Sequence, residues 1–137
     1  FDLFESTTTL EHFKENEIDD FLNILKKVLK KDGYISSAID YSDHYSHTDK
    51  NITPLNFLKY SEADWAKYNN SYLYQNRLRH KDYEKLFKKH DYIIKNAIEG
   101  PKGSIFPELS KNYDSLDESN LILWGYYLIQ KNLVNTI

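Results

Sequence analysis

The first forty residues read as a strand, a helix and a second strand, and that order restricts the fold more than anything else in the chain. "FDLF" (Phe1 to Phe4) is an apolar stretch that runs into the polar turn Glu5-Ser6-Thr7-Thr8. From Phe13 to Lys31, apolar residues recur at intervals of three and four. Ile18, Phe21, Leu22, Leu25, Val28 and Leu29 form one stripe, the pattern of a helix with one buried face. Acidic residues gather at its start and lysines at its end, as the helix dipole prefers. Gly33 follows as a stop. Tyr34 to Asp40, "YISSAID", then has the apolar and small residues of a buried strand. Two strands joined by a crossover helix lie parallel in one sheet.

The remainder extends this sheet. Tyr41 to Tyr60 is polar and aromatic-rich. Ser61-Glu62-Ala63-Asp64 fits a capping box and opens a short helix carrying Trp65. His80 to Lys89 is a second amphipathic helix with Tyr83, Leu86 and Phe87 inward. Asp91 to Ile98 is a third strand, Gly100 to Pro107 a loop, Glu108 to Asn120 a region of short helical turns, and "LWGYYLIQKNL" a final strand. The expectation is one α/β domain over 1–137, with about four strands and flanking helices, equivalent to half of a doubly wound sheet.

Composition excludes several functions. A net charge of -3 argues against a nucleic-acid binder that works by neutralising phosphates. The lysine pairs at 26–27, 30–31 and 88–89 read as solvated helix faces. With no Cys, neither a disulfide framework nor a thiolate zinc site can form. No apolar run reaches the roughly 18 residues of a membrane span. The chain therefore reads as cytoplasmic, without a membrane or nucleic-acid partner.

The densest titratable cluster is Asp40, Asp43, His44 and His47, spaced D-x-x-D-H-x-x-H. It suits a general base or substrate contact, a zinc or manganese site, or a structural loop. Asn76, Arg77 and Arg79 lie in "QNRLR", just before a helix. Arg77 can pair with Asp40, Asp43 or Glu11, or with an anionic acceptor. Trp65, Tyr72 and Tyr74 are candidate pocket walls.

Taken in order, "FDLFESTTTLEHF", "VLKKDGYISSAID", "SDHYSH", "NFLKYSEADW" and "YQNRLRHKDYEKLF" resemble class I S-adenosylmethionine-dependent methyltransferases, in particular a bacterial small-molecule or glycan-associated subgroup. Lys31-Asp32-Gly33 stands where that family usually has Pro-Gly-Gly. The resemblance implies a partial Rossmann-like sheet whose amino-terminal cofactor-binding half is absent. It implies S-adenosylmethionine as cofactor, bound weakly or not at all by this chain alone, and a small-molecule or sugar methyl acceptor. His44, Asp43 and His12 are the implied catalytic residues. Asp40, His47, Asn76 and Arg77 are the substrate contacts, and Ser6 and Thr7 the cofactor contacts. Some related O-methyltransferases bind a metal through E-x-L-E-H. Thr8 replaces the first Glu of that pattern, and no metal is expected.

Two rival readings accompany this one. The first is a non-catalytic Rossmann-like interaction module or degenerate half-domain. The second, weaker one is a metal-dependent hydrolase built on the D-x-x-D-H-x-x-H cluster. An open strand edge at Phe1 to Phe4 or at the Tyr34 strand invites self-association.

Overall fold

The computed structural model of the chain describes residues 1–104, 108–114 and 117–132. It is an α/β fold around a four-stranded sheet. The strands are β1 (Leu3–Thr7), β2 (Tyr34–Asp40), β3 (Tyr92–Glu99) and β4 (Trp124–Lys131), in the spatial order β1-β2-β4-β3. The helices are α1 (Glu15–Val28), α2 (Glu62–Trp65) and α3 (His80–Lys89). As the first forty residues require, β1 and β2 are parallel neighbours, with Leu3 opposite Tyr34 and Phe4 opposite Ile35. The last strand inserts between β2 and β3 and runs antiparallel to both. The Tyr34 strand is therefore internal, and of the two only the Phe1–Phe4 side is an open edge.

One face of the sheet is covered. Ile35 and Ile39 of β2 and Tyr127 and Ile129 of β4 point to it. Against them pack Ile18, Leu22, Leu25 and Leu29 from α1 and its end, and Tyr83, Leu86 and Phe87 from α3. Each such aliphatic side chain contributes about 1.5–3 kcal/mol by leaving water. Val28, part of the expected stripe, is 41% exposed. The helix starts at Glu15, later than its periodicity suggests, and the Lys14 N–H donates to Glu17 Oε2 at 2.7 Å. Gly33 does not end it through a left-handed conformation, since no glycine has positive φ. Its requirement is space: a Cβ there would stand 3.0 Å from the Phe1 carbonyl oxygen. A second apolar cluster, Leu55, Phe57, Leu58 and Trp65, supports the long connection between β2 and α3.

The opposite face of the sheet is open. It carries Leu3, Ile93, Ile98 and Trp124, each more than 40% exposed.

His80, at the start of α3, is a buried histidine that packs under β4. Its Nδ1 lies 3.1 Å from the Tyr41 hydroxyl, its ring stacks on Tyr127 at 4.7 Å, and its Nε2 is 3.9 Å from Glu84. Burial lowers its pKa below the ordinary 6.5, although Glu84 and Glu99 pull the other way. The unfolded chain therefore takes up this proton at a higher pH than the folded one does. Stability from this residue is lost as pH falls through 6.5 toward the lowered value. Urea denaturation at several pH values checks this. The wild type should lose more stability on acidification than His80→Asn, whose amide reaches the Nδ1 position. Equal slopes would refute the assignment.

Candidate functional site

Parallel neighbouring strands end on the same side of a sheet, so the loops after β1 and β2 emerge together. The Thr8 N–H donates to the Ala38 carbonyl at 2.9 Å and carries the pairing one residue beyond β1. Thr8 then takes a positive φ of 47°, a strained value for a β-branched residue. That turn sends the chain into a 3-10 turn at Leu10–His12. The loop after β2 forms another at His44–His47.

Two side chains of the "QNRLR" stretch hold these loops. The Asn76 amide nitrogen lies 2.9 and 2.8 Å from the carbonyl oxygens of Leu10 and Phe13, and the Asn76 N–H donates to the Glu11 carbonyl at 2.7 Å. Gln75 accepts from the His44 N–H at 3.1 Å and donates to the Ser42 carbonyl. Gln75, which sequence reasoning passed over, thus fixes the His44 backbone. Its only signal was its place next to Asn76.

The result is a line of titratable groups across the two loops. The His12 and His44 rings are 5.0 Å apart, as are those of His44 and His47. Asp40 Oδ2 stands 3.5 Å from both His44 Nε2 and His47 Nε2, while Oδ1 accepts from the Ser42 N–H and hydroxyl at 2.8 and 2.6 Å. Burial works to raise the Asp40 pKa, but His44 and Ser42 together hold it below the ordinary value. The Asp40 carboxylate in turn raises that of His44 against the effect of burial. Glu11 is 1% exposed, and among the described residues neither carboxylate oxygen has a hydrogen-bond partner. Burial raises its pKa. Glu11, His12 and His44 each offer a ligand atom within 4.8 Å of the others, so they are the group that could hold a cation.

Two hollows flank this line. One, of about 220 Å³, is lined by His12, His44, Tyr45, Trp65, Tyr72 and Gln75 among others. The other, of about 430 Å³, lies at the strand ends beside Thr8, Asp40, His47 and Trp124. Trp65 and Tyr72 thus wall the first hollow as expected, while Tyr74 lines a separate one beside Arg77.

Other expected site residues are placed differently. Arg77 does not meet Asp40 or Asp43. Its guanidinium donates to the Phe57 and Tyr60 carbonyls at 2.8 and 2.7 Å, pairs with Glu62, and lies between the rings of Trp65 and Tyr113. Asp43 is fully buried and caps the His44–His47 turn, accepting from the Tyr45 N–H at 3.0 Å and the Asn56 amide at 3.2 Å. Both its oxygens are thus engaged in holding the turn. Asn76 likewise spends its amide on the loop and Tyr83. The buried Ser6 hydroxyl bonds that of Ser37 at 2.9 Å, between neighbouring strands of the covered face, whereas Thr7 is exposed at the end of β1. His12, Asp40, His44 and His47 come together; Arg77, Asp43 and Ser6 do not join them.

No protein-family model matches the chain, and no curated protein does either. Among the described residues, no helix is long and apolar enough to cross a membrane.

Proposed function

We propose that this chain is the acceptor-side portion of a class I S-adenosylmethionine-dependent methyltransferase with a Rossmann-like sheet, acting on a small-molecule or sugar hydroxyl. One observation carries the reading. The separate sequence blocks of the resemblance, Glu11-His12, Asp40 to His47 and Gln75-Asn76, meet at the carboxyl ends of two parallel strands, where open α/β sheets hold their ligands. Methyl transfer from a sulfonium asks little of the protein beyond an acceptor held in line and a group to receive or offset its proton. The aromatic hollow beside His12 and His44 supplies the first, and His44, backed by Asp40, the second. The cofactor belongs to strands and a glycine-rich loop on the amino-terminal side, reaching the exposed Thr7-Thr8 corner.

Isothermal titration tests this reading. The chain alone should bind S-adenosylmethionine weakly or not at all. The same chain extended amino-terminally by its native sequence should bind it and form S-adenosylhomocysteine when offered hydroxylated small molecules or sugars. An extended protein that does not bind the cofactor overturns the proposal.

The open sheet face with Leu3, Ile93, Ile98 and Trp124 is the observation that favours the rival interaction module. In the methyltransferase reading, the helices of the amino-terminal half cover that face.

A further inference from the structure

The geometry points to a divalent transition-metal site of the zinc class formed by Glu11, His12 and His44, with an open coordination position facing the aromatic hollow.

Glu11 provides the main reason. A carboxylate buried with neither oxygen hydrogen-bonded is strongly unfavourable unless a positive charge compensates it. Among the described residues no lysine or arginine pairs with it. The two imidazoles lie within ligand reach of it, with the like-charged Asp40 carboxylate also close, and imidazoles are metal ligands when neutral.

The imidazoles are arranged for ligation. His12 Nδ1 lies 2.9 Å from the Tyr74 carbonyl oxygen. A carbonyl can only accept, so Nδ1 carries the proton and Nε2 keeps its lone pair. This is the usual outer contact of a metal-bound histidine. His44 Nε2 is buried and lacks a hydrogen-bond partner, although Asp40 stands 3.5 Å away. Asp40 in turn is fixed by Ser42. Ligand atoms within 4.8 Å of one another come onto a single ion, with bonds of about 2.0–2.2 Å, after small side-chain rotations. Two imidazoles and one carboxylate with a vacant fourth position form the donor set of a catalytic rather than a structural zinc site.

This set differs from the E-x-L-E-H pattern considered in the sequence. Its third member comes from the loop after β2, 32 residues beyond His12, and Thr8 has no part in it. A cation bound here, with its open position toward the hollow, would polarise an acceptor hydroxyl and lower its pKa.

The test uses the chain alone and does not depend on methyl transfer. Metal-free protein titrated with Zn²⁺ should bind one equivalent. Glu11→Gln and His44→Ala should each weaken binding by about 100-fold or more, since even outer partners of metal ligands are worth 10–100-fold. In the wild-type chain, imidazole NMR signals of His12 and His44 should shift on Zn²⁺ addition, while those of His80 and His90 stay in place. The NMR arm decides the matter if either variant fails to fold. Absence of saturable binding, binding retained by both variants, or shifts confined to His80 and His90 would each overturn the site.

Discussion

Arg79→Met is expected to lower the stability of the chain by about 3–5 kcal/mol, a large share of the 5–15 kcal/mol typical of a domain. The Arg79 side chain is 1% exposed and fans out to three backbone carbonyls: Asn120 at 3.0 Å, Tyr41 at 2.6 Å and Ile122 at 2.7 Å. It lies over the rings of Tyr41 and Phe57 and has no carboxylate among its described salt-bridge partners. Burial lowers its pKa to about 10, so it stays charged at neutral pH. Methionine fills much of the same space but leaves three buried acceptors without donors. Each charge-assisted hydrogen bond is worth about 1.5–3 kcal/mol, and the relief of not burying a charge offsets part of the loss. Arg79→Lys keeps the charge but cannot reach three divergent carbonyls from one nitrogen, so an intermediate loss is expected. The urea midpoint of the Met variant should fall by about 2 M with an unchanged slope. A shift below a quarter of that would mean that water satisfies the carbonyls and that Arg79 is not the joint described here.

Arg79 also shows where sequence reading stops. "QNRLR" announced a polar segment before a helix, and α3 begins at His80 as its apolar spacing demanded. No periodicity covers Gln75 to Arg79, because the segment is neither helix nor strand. The facing of two arginines two residues apart is set by partners far along the chain: Glu62 and the Phe57 and Tyr60 carbonyls for one, the approach to β4 for the other. Sequence pattern alone therefore could not separate the arginine that secures the loop connection from the one that anchors the approach to β4.

The same distinction runs through the fold. The β1–α1–β2 unit was legible because a period of 3.6 between two extended runs leaves one solution. The insertion of β4 between β2 and β3 was not. Strand order depends on which hydrophobic faces find each other, and Tyr127 and Ile129 match Ser37 and Ile35 only in three dimensions. At the site, the D-x-x-D-H-x-x-H spacing flagged the correct loop. It could not show that Asp43 turns inward to cap the 3-10 turn while Asp40 turns toward the histidines. Glu11 read as a charge at a helix start. Its burial follows from Asn76 drawing the Leu10–Phe13 backbone inward, a contact spanning 66 residues.

In an amino-terminally extended protein that turns over S-adenosylmethionine, His44→Ala is expected to lower turnover by about 10²–10⁴-fold, the range for removing a positioned acid–base group. Cofactor affinity should remain nearly intact, because His44 faces the aromatic hollow rather than the Thr7-Thr8 corner. Two routes lead to this loss, and a second measurement separates them. If the imidazole takes the acceptor proton unaided, stripping divalent metal leaves the wild-type rate where it was. If His44 acts by holding a cation with Glu11 and His12, a chelator should bring the wild-type rate down to near that of His44→Ala, and added Zn²⁺ should restore it. Glu11→Gln then sharpens the comparison. Glu11 is buried beside His44 and helps to raise its pKa, so Glu11→Gln only trims the basicity of a metal-free base, whereas it removes a ligand from a metal site and should then bring the rate down toward that of His44→Ala. Wild-type turnover in His44→Ala would remove both routes and leave His44 as a residue that shapes the loop after β2.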